Sequence, residues 1–164
     1  MTMSMDLGAV AAVAEASGRA GRRGSSGAAV DGEVARLRRV GLRPTRQRVE
    51  LARMLFGAGD RHVSAEAVYD EAMARGVRVS LATVYNTLKQ FTEAGLLREL
   101  AVSGAKSWFD TRVDEHHHFY VEGEGAMADV EADQVALACL PPPPPGMAIV
   151  GWDVVIRLRR IATS

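Results

Sequence analysis

Residues 80–91 read Ser80-Leu81-Ala82-Thr83-Val84-Tyr85-Asn86-Thr87-Leu88-Lys89-Gln90-Phe91, with Gly95 shortly after. Ser80 is a good N-cap, and Leu81, Val84, Leu88 and Phe91 recur at the spacing of one helical face. The pattern predicts a helix over 81–94 with that stripe buried and Gly95 closing it. Away from the stripe lie Thr83, Asn86 and Lys89, with Tyr85 beside them. Asparagine bonds adenine edges bidentately, threonine meets a thymine methyl, and lysine reaches guanine or phosphate. Ser80, Thr83, Tyr85, Asn86 and Lys89 are therefore read as a nucleic-acid face.

Upstream, three more helices are expected, over 33–40, 45–55 and 65–75. The first stops at Gly41, the second has Pro44 in its first turn, where a preset φ fits, and the third starts at the N-cap Ser64. Downstream the period changes to strand over 96–102, a tight turn at Ser103-Gly104-Ala105-Lys106 and strand over 107–110. Helices followed by a β-hairpin are the order of a winged helix, whose second helix-turn-helix helix enters the DNA major groove. Charge agrees with that assignment: residues 36–53 hold seven arginines against Glu50, a balance of +6. Arg43, Thr45, Arg46 and Arg48 are placed where guanidinium and backbone N–H groups of a helix start hold phosphate.

The rear of the chain has the opposite sign. Residues 110–133 carry eight acids against Arg112, a balance of −7, and inside them stand His116-His117-His118. On a strand, His116 and His118 share one face and His117 takes the other, an arrangement suited to two imidazoles and nearby carboxylates on one cation. A hairpin over 119–130, a short helix over 132–138, a stiff connector at Pro141–Pro145 and a half-buried strand over 147–159 complete an α/β lobe too thin to stand alone. A homodimer is the expected remedy. The fold class is thus α+β: a flexible tail over 1–32 with one frayed helix over 7–16, a winged-helix domain over 33–111, and an α/β dimerisation and sensing domain over 112–164.

The 164 residues are 48% hydrophobic, 24% charged and 5% aromatic, enough apolar material for a core. No run approaches a membrane span, and residues 1–15 lack the basic start of a signal peptide, which predicts a cytoplasmic protein without a membrane partner. Cys139 is the single cysteine, so neither a disulfide framework nor a four-cysteine zinc clasp can form.

The ordered motifs Leu42-Arg43-Pro44-Thr45-Arg46-Gln47-Arg48, His62-Val63-Ser64-Ala65-Glu66-Ala67-Val68-Tyr69, Leu81-Ala82-Thr83-Val84-Tyr85 and Lys106-Ser107-Trp108-Phe109-Asp110 resemble the ferric uptake regulator family. The resemblance covers about residues 34–160. It implies a dimeric winged-helix transcription factor acting on operators with dyad symmetry, with a sensing metal, Fe2+ or Mn2+, on His62, Asp110, His116, His118 and Asp129. Two departures stand out: Val121 and Glu124 occupy the usual CxxC positions, and His117 replaces the acid usual between the two histidines of metal-inducible repressors. These departures, with the His-His-His-Phe-Tyr-Val sequence, look like the iron response regulator branch. That resemblance implies a regulator of iron and haem genes, active when iron is scarce and inactivated by haem at His116, His117 and His118, with haem or a haem-synthesis enzyme as partner. Cys139 is followed by Leu140 rather than proline, so it lacks a Cys-Pro haem-regulatory motif. The reading from another class is a metallohydrolase using His116 and His118 with a carboxylate base; the absence of an H-E-x-x-H pattern argues against it.

Overall fold

Ser26–Arg39 forms α1 in the computed structural model, which describes residues 26–100, 102 and 107–161. The helix starts seven residues before the expected position, so the tail predicted over 1–32 ends sooner; its first part, like the helix expected over 7–16, lies outside the described residues. The reason is packing. Val30, Val34 and Leu37 follow one another at helical spacing, and all three lie on the core, Leu37 with no exposed surface. Arg36, Arg38 and Arg39 in the last turn suit the negative end of the helix dipole.

Gly41 then takes a left-handed φ of 77°, and Leu42 N donates to Leu37 O at 2.9 Å, which turns the chain out of α1. Thr45 caps α2, Arg46–Phe56, by accepting from Arg48 N, so Pro44 precedes the cap rather than standing in the first turn. His62–Ser64 forms β1, a strand that periodicity did not predict. Ser64 ends it and also caps α3, Ala65–Ala74. The fourth helix, α4, spans Leu81–Glu93 under Ser80.

Arg98–Leu100 (β2) and Trp108–Asp110 (β3) are shorter than the strands expected, and the turn at 103–106 lies outside the described residues. The sheet runs β1-β3-β2, all antiparallel, so the early strand pairs on the far side of the hairpin. Phe91, Phe109, Leu51, Leu55, Leu88 and Val84 make the centre of one core with Leu37. Leu81, expected in the buried stripe, is 42% exposed because it opens the first turn of α4 beyond that core.

The chain divides between Val113 and Asp114 into two compact units. In the second, β4 (His116–Val121) pairs with β5 (Ala126–Glu131) antiparallel and with β6 (Val155–Leu158) parallel. The helix expected over 132–138 is a single 3-10 turn, Ala132–Gln134. The strand expected over 147–159 shrinks to β6: Met147, Ile149 and Val150 are exposed, and alternation alone cannot bury residues that pair with no neighbour. Among the described residues, no helix is long and apolar enough to cross a membrane.

Candidate metal centre and nucleic-acid face

Helix α4 is fixed by its N-cap and by one buried face. Ser80 Oγ accepts from Thr83 N at 3.1 Å and lies 2.9 Å from Thr83 Oγ1, while Thr87 Oγ1 donates to Thr83 O at 2.8 Å. Val84, Thr87, Leu88 and Phe91 are buried, which leaves Tyr85 and Asn86 exposed and Thr83 and Lys89 half-buried. The Tyr85 ring sits edge-on to Phe109 at 6.4 Å, so the wing strand β3 positions it.

Of the residues expected to hold phosphate, Arg43, Thr45 and Arg46 are exposed. Arg48 is otherwise occupied. Its Nε and Nη2 donate to Gln90 Oε1 at 3.1 and 2.6 Å, and its Nη1 donates to Arg43 O at 2.8 Å. The guanidinium thus ties the start of α2 to α4 and to the Arg43 loop. Lys89 lies 2.5 Å from Glu99 Oε2 on β2.

In the second unit the strand pleat sorts the histidines. His116 stands opposite Glu131 and His118 opposite Asp129 in the β4–β5 register. Their rings lie 4.6 Å apart, centroid to centroid, at 61°. His116 Nε2 is 3.7 Å from Asp129 Oδ1, and His116, His118 and Asp129 offer ligand atoms within 4.8 Å of one another. The two rings are essentially buried, at 1% and 0% exposure.

His116 Nδ1 lies 2.9 Å from Asp114 O. A carbonyl can only accept, so a neutral His116 carries its proton on Nδ1 and presents the Nε2 lone pair toward Asp129. Ligand bonds of about 2.0–2.2 Å place neighbouring donors of a metal roughly 3–4 Å apart, and the 3.7 Å between His116 Nε2 and Asp129 Oδ1 falls in that range. The donor set therefore fits a divalent cation. His117 turns to the other face, its ring 4.6 Å from Trp152, and among the described residues neither of its buried nitrogens has a hydrogen-bond partner.

The first unit carries a second donor pair. His62 and Asp110 are direct partners in the β1–β3 register, and His62 Nε2 lies 3.7 Å from Asp110 Oδ2. Asp110 is fully buried, its Oδ1 accepting from Arg112 N at 2.8 Å. A carboxylate removed from water in this way needs cationic or N–H partners.

Sequence reasoning did not single out Asp114, Gln90 or Glu99. Asp114 acts through its backbone carbonyl, which leaves no side-chain signature. Gln90 and Glu99 acquire meaning only from partners 42 and 10 residues away.

Residues 39–138 match the profile described as the ferric uptake regulator family. The ferric uptake regulation protein of Pseudomonas aeruginosa is 42% identical over 89 residues, 54% of this chain, and the match spans 66% of that relative, just under two thirds of its length. The peroxide-responsive repressor PerR of Staphylococcus epidermidis is 31% identical over 102 residues, 62% of this chain and 67% of the relative. Among solved structures, the ferric uptake regulator of Pseudomonas aeruginosa with manganese is similar at a TM-score of 0.61 and 31% identity, over 78% of this chain and 97% of that one. The Vibrio cholerae ferric uptake regulator, at 23% identity, TM-score 0.62 and coverage of 77% and 98%, shares the fold. The matched segment runs from the last residue of α1 past β5, through the winged helix and the histidine strand: the chain belongs to the ferric uptake regulator family, whose members are transcription regulators rather than enzymes.

Proposed function

We propose that this chain is a metal-responsive transcription regulator that binds operator DNA as a homodimer. One divalent cation is held by His116, His118 and Asp129, with His62 and Asp110 as the remaining ligands. The observation that carries the reading is the tethered His116, whose Nε2 is left to face Asp129 Oδ1 at 3.7 Å beside the buried His118. Mixed imidazole and carboxylate donors suit iron, manganese or zinc, and the relative of known structure is described with manganese. When bound, the ion would supply charge neutralisation for its carboxylate ligands, and a metal-dependent DNA affinity would express a linkage free energy between metal and DNA binding.

On the DNA, Arg43 and Arg46 hold phosphate, and Thr83, Tyr85 and Asn86 meet base edges. Thr45 and Ser80 cap the two helices and Arg48 braces them. Metal-stripped protein given Mn2+ is expected to change its affinity for a selected duplex by about 5–150-fold, read by fluorescence anisotropy. An affinity that ignores every divalent ion sinks the metal reading. Arg46→Ala should weaken binding to all sequences and flatten its salt dependence. Asn86→Ala should cost about 1–3 kcal/mol on the selected site and little on random DNA. Equal losses on both duplexes for both variants contradict these roles.

The second reading is the iron response regulator branch, active under low iron and inactivated by haem at His116, His117 and His118. One feature favours it: the His117 nitrogens, buried against Trp152, have no hydrogen-bond partner among the described residues. Burial opposes it. Exposures of 1%, 3% and 0% leave no open ring face beside which a macrocycle can lie, so the three histidines as they stand fit an ion better than haem. A hemin titration separates the two readings. Saturable Soret growth lost in a triple alanine variant of the cluster, with weakened operator binding, selects haem; growth unaffected by the variant rejects it.

A further inference from the structure

Lys89 and Glu99 form an ion pair at the junction of the recognition helix and the wing. Lys89 Nζ donates to Glu99 Oε2 at 2.5 Å and stands 5.7 Å from the centre of the Tyr85 ring. Glu99 lies on β2 between the half-buried Arg98 and the buried Leu100, at an exposed position of the strand. Both side chains remain solvated, at 38% and 30% exposure, and such a pair contributes little to stability. A carboxylate here also repels the polyanion this face is proposed to bind. Its position calls for another account.

The contrast with Arg48 supplies one. Arg48 is fastened by neutral acceptors, Gln90 Oε1 and Arg43 O, so its positive charge stays uncompensated. Lys89 is fastened by an anion. The contact holds the Glu99 carboxyl below the usual carboxylate range and the Lys89 ammonium above its usual value, so both are charged at neutral pH.

We infer that Glu99 is a specificity-determining residue: it withholds Lys89 from DNA phosphates, suppressing a contact that strengthens binding to any sequence alike. Phosphate contacts carry no sequence information, whereas base contacts do, so removing one non-specific cation widens the ratio of operator to random affinity. The inference rests on the proposed DNA-binding reading, and it assigns to the pair a role opposite to the direct contact expected for Lys89 from sequence.

The test uses the full chain with Mn2+, a random-sequence duplex of about 30 base pairs, and a duplex of equal length enriched by the wild type from a randomised pool. Releasing one cation to a phosphate adds about 0.9 to the salt slope, a factor of about 8 in affinity at ~0.1 M salt. Glu99→Gln is expected to bind random DNA about eightfold tighter with that steeper slope, and its operator-to-random ratio should fall. Lys89→Met alone should leave random-DNA affinity within about twofold of wild type, and adding it to Glu99→Gln should erase the gain. A gain that survives in the double variant means simple relief of repulsion and overturns the latch. So does an unchanged Glu99→Gln, or a wild-type background in which Lys89→Met loses affinity. If the wild type enriches no duplex from the pool while Glu99→Gln binds random DNA and Lys89→Met erases that binding, the latch stands and the operator reading falls; if neither protein binds DNA, both fall. Circular dichroism of each variant confirms that the helices are intact.

Discussion

His118→Ala is expected to lower divalent-metal affinity by about 100-fold or more. Loss of outer hydrogen-bond partners alone costs about 10–100-fold at metal sites, and His118 is proposed as a direct ligand. The readout needs no DNA. A cation that binds only the folded chain stabilises it by about 2.7 kcal/mol at 100 times its Kd, which for a chain of this size raises Tm by roughly 5–10 °C. Wild type should show that rise with Mn2+, and His118→Ala should show almost none. His118 is fully buried, so the variant's metal-free Tm will also fall, and the comparison is of each protein with and without metal. His117→Ala supplies the control, because the pleat sends that ring to Trp152 on the opposite face of β4. It should keep the metal response. A full response in His118→Ala, or its loss in His117→Ala, would be evidence against the proposed donor set.

Phe91→Ala is expected to destabilise the winged-helix unit by about 3–5 kcal/mol. Phe91 has no exposed surface, packs with its ring tilted 36° to that of Phe56 of α2 at 6.2 Å between centroids, and belongs to the cluster that joins α1 through Leu37, α2 through Leu51 and Leu55, and β3 through Phe109. Small domains have only about 5–15 kcal/mol in total, so the loss removes a large share of it. The helices α1–α4 lie in this unit, and ellipticity at 222 nm in a urea titration reports its unfolding. The midpoint should fall with the slope unchanged. A cost under about 1 kcal/mol would mean that Phe91 is not the centre of the core.

Helices α3 and α4 were legible because Ser64 and Ser80 punctuate them, whereas α1 starts seven residues before its expected position and Thr45 caps α2 where it was read inside the helix. Thr45, Ser64 and Ser80 accept from the backbone three residues on, and the apolar spacing of α4 survives in the structure except at Leu81. Alternation misled in the other direction. Residues 147–159 read as one long strand, yet only Val155–Leu158 find a partner in β4, because a strand exists through pairing that its own residues do not encode. For the same reason β1 was missed: three residues show no period, and His62–Ser64 become a strand only beside Asp110, Phe109 and Trp108.

The sequence by itself determined the family, the capped recognition helix, the opposed charge runs and the donor types, since these depend on residue identity and local spacing. A four-cysteine zinc clasp is likewise excluded by residue count alone, because Cys139 is the single cysteine. Only the tertiary structure decided which groups are committed to one another. It set Asp129 against His118 through a strand register and fixed the His116 tautomer with the Asp114 carbonyl. It turned Arg48 toward Gln90 and gave Lys89 to Glu99. A side chain's charge is written in the chain, but its availability depends on neighbours that approach only after folding, and electrostatic and hydrogen-bonding energies act over those few ångströms.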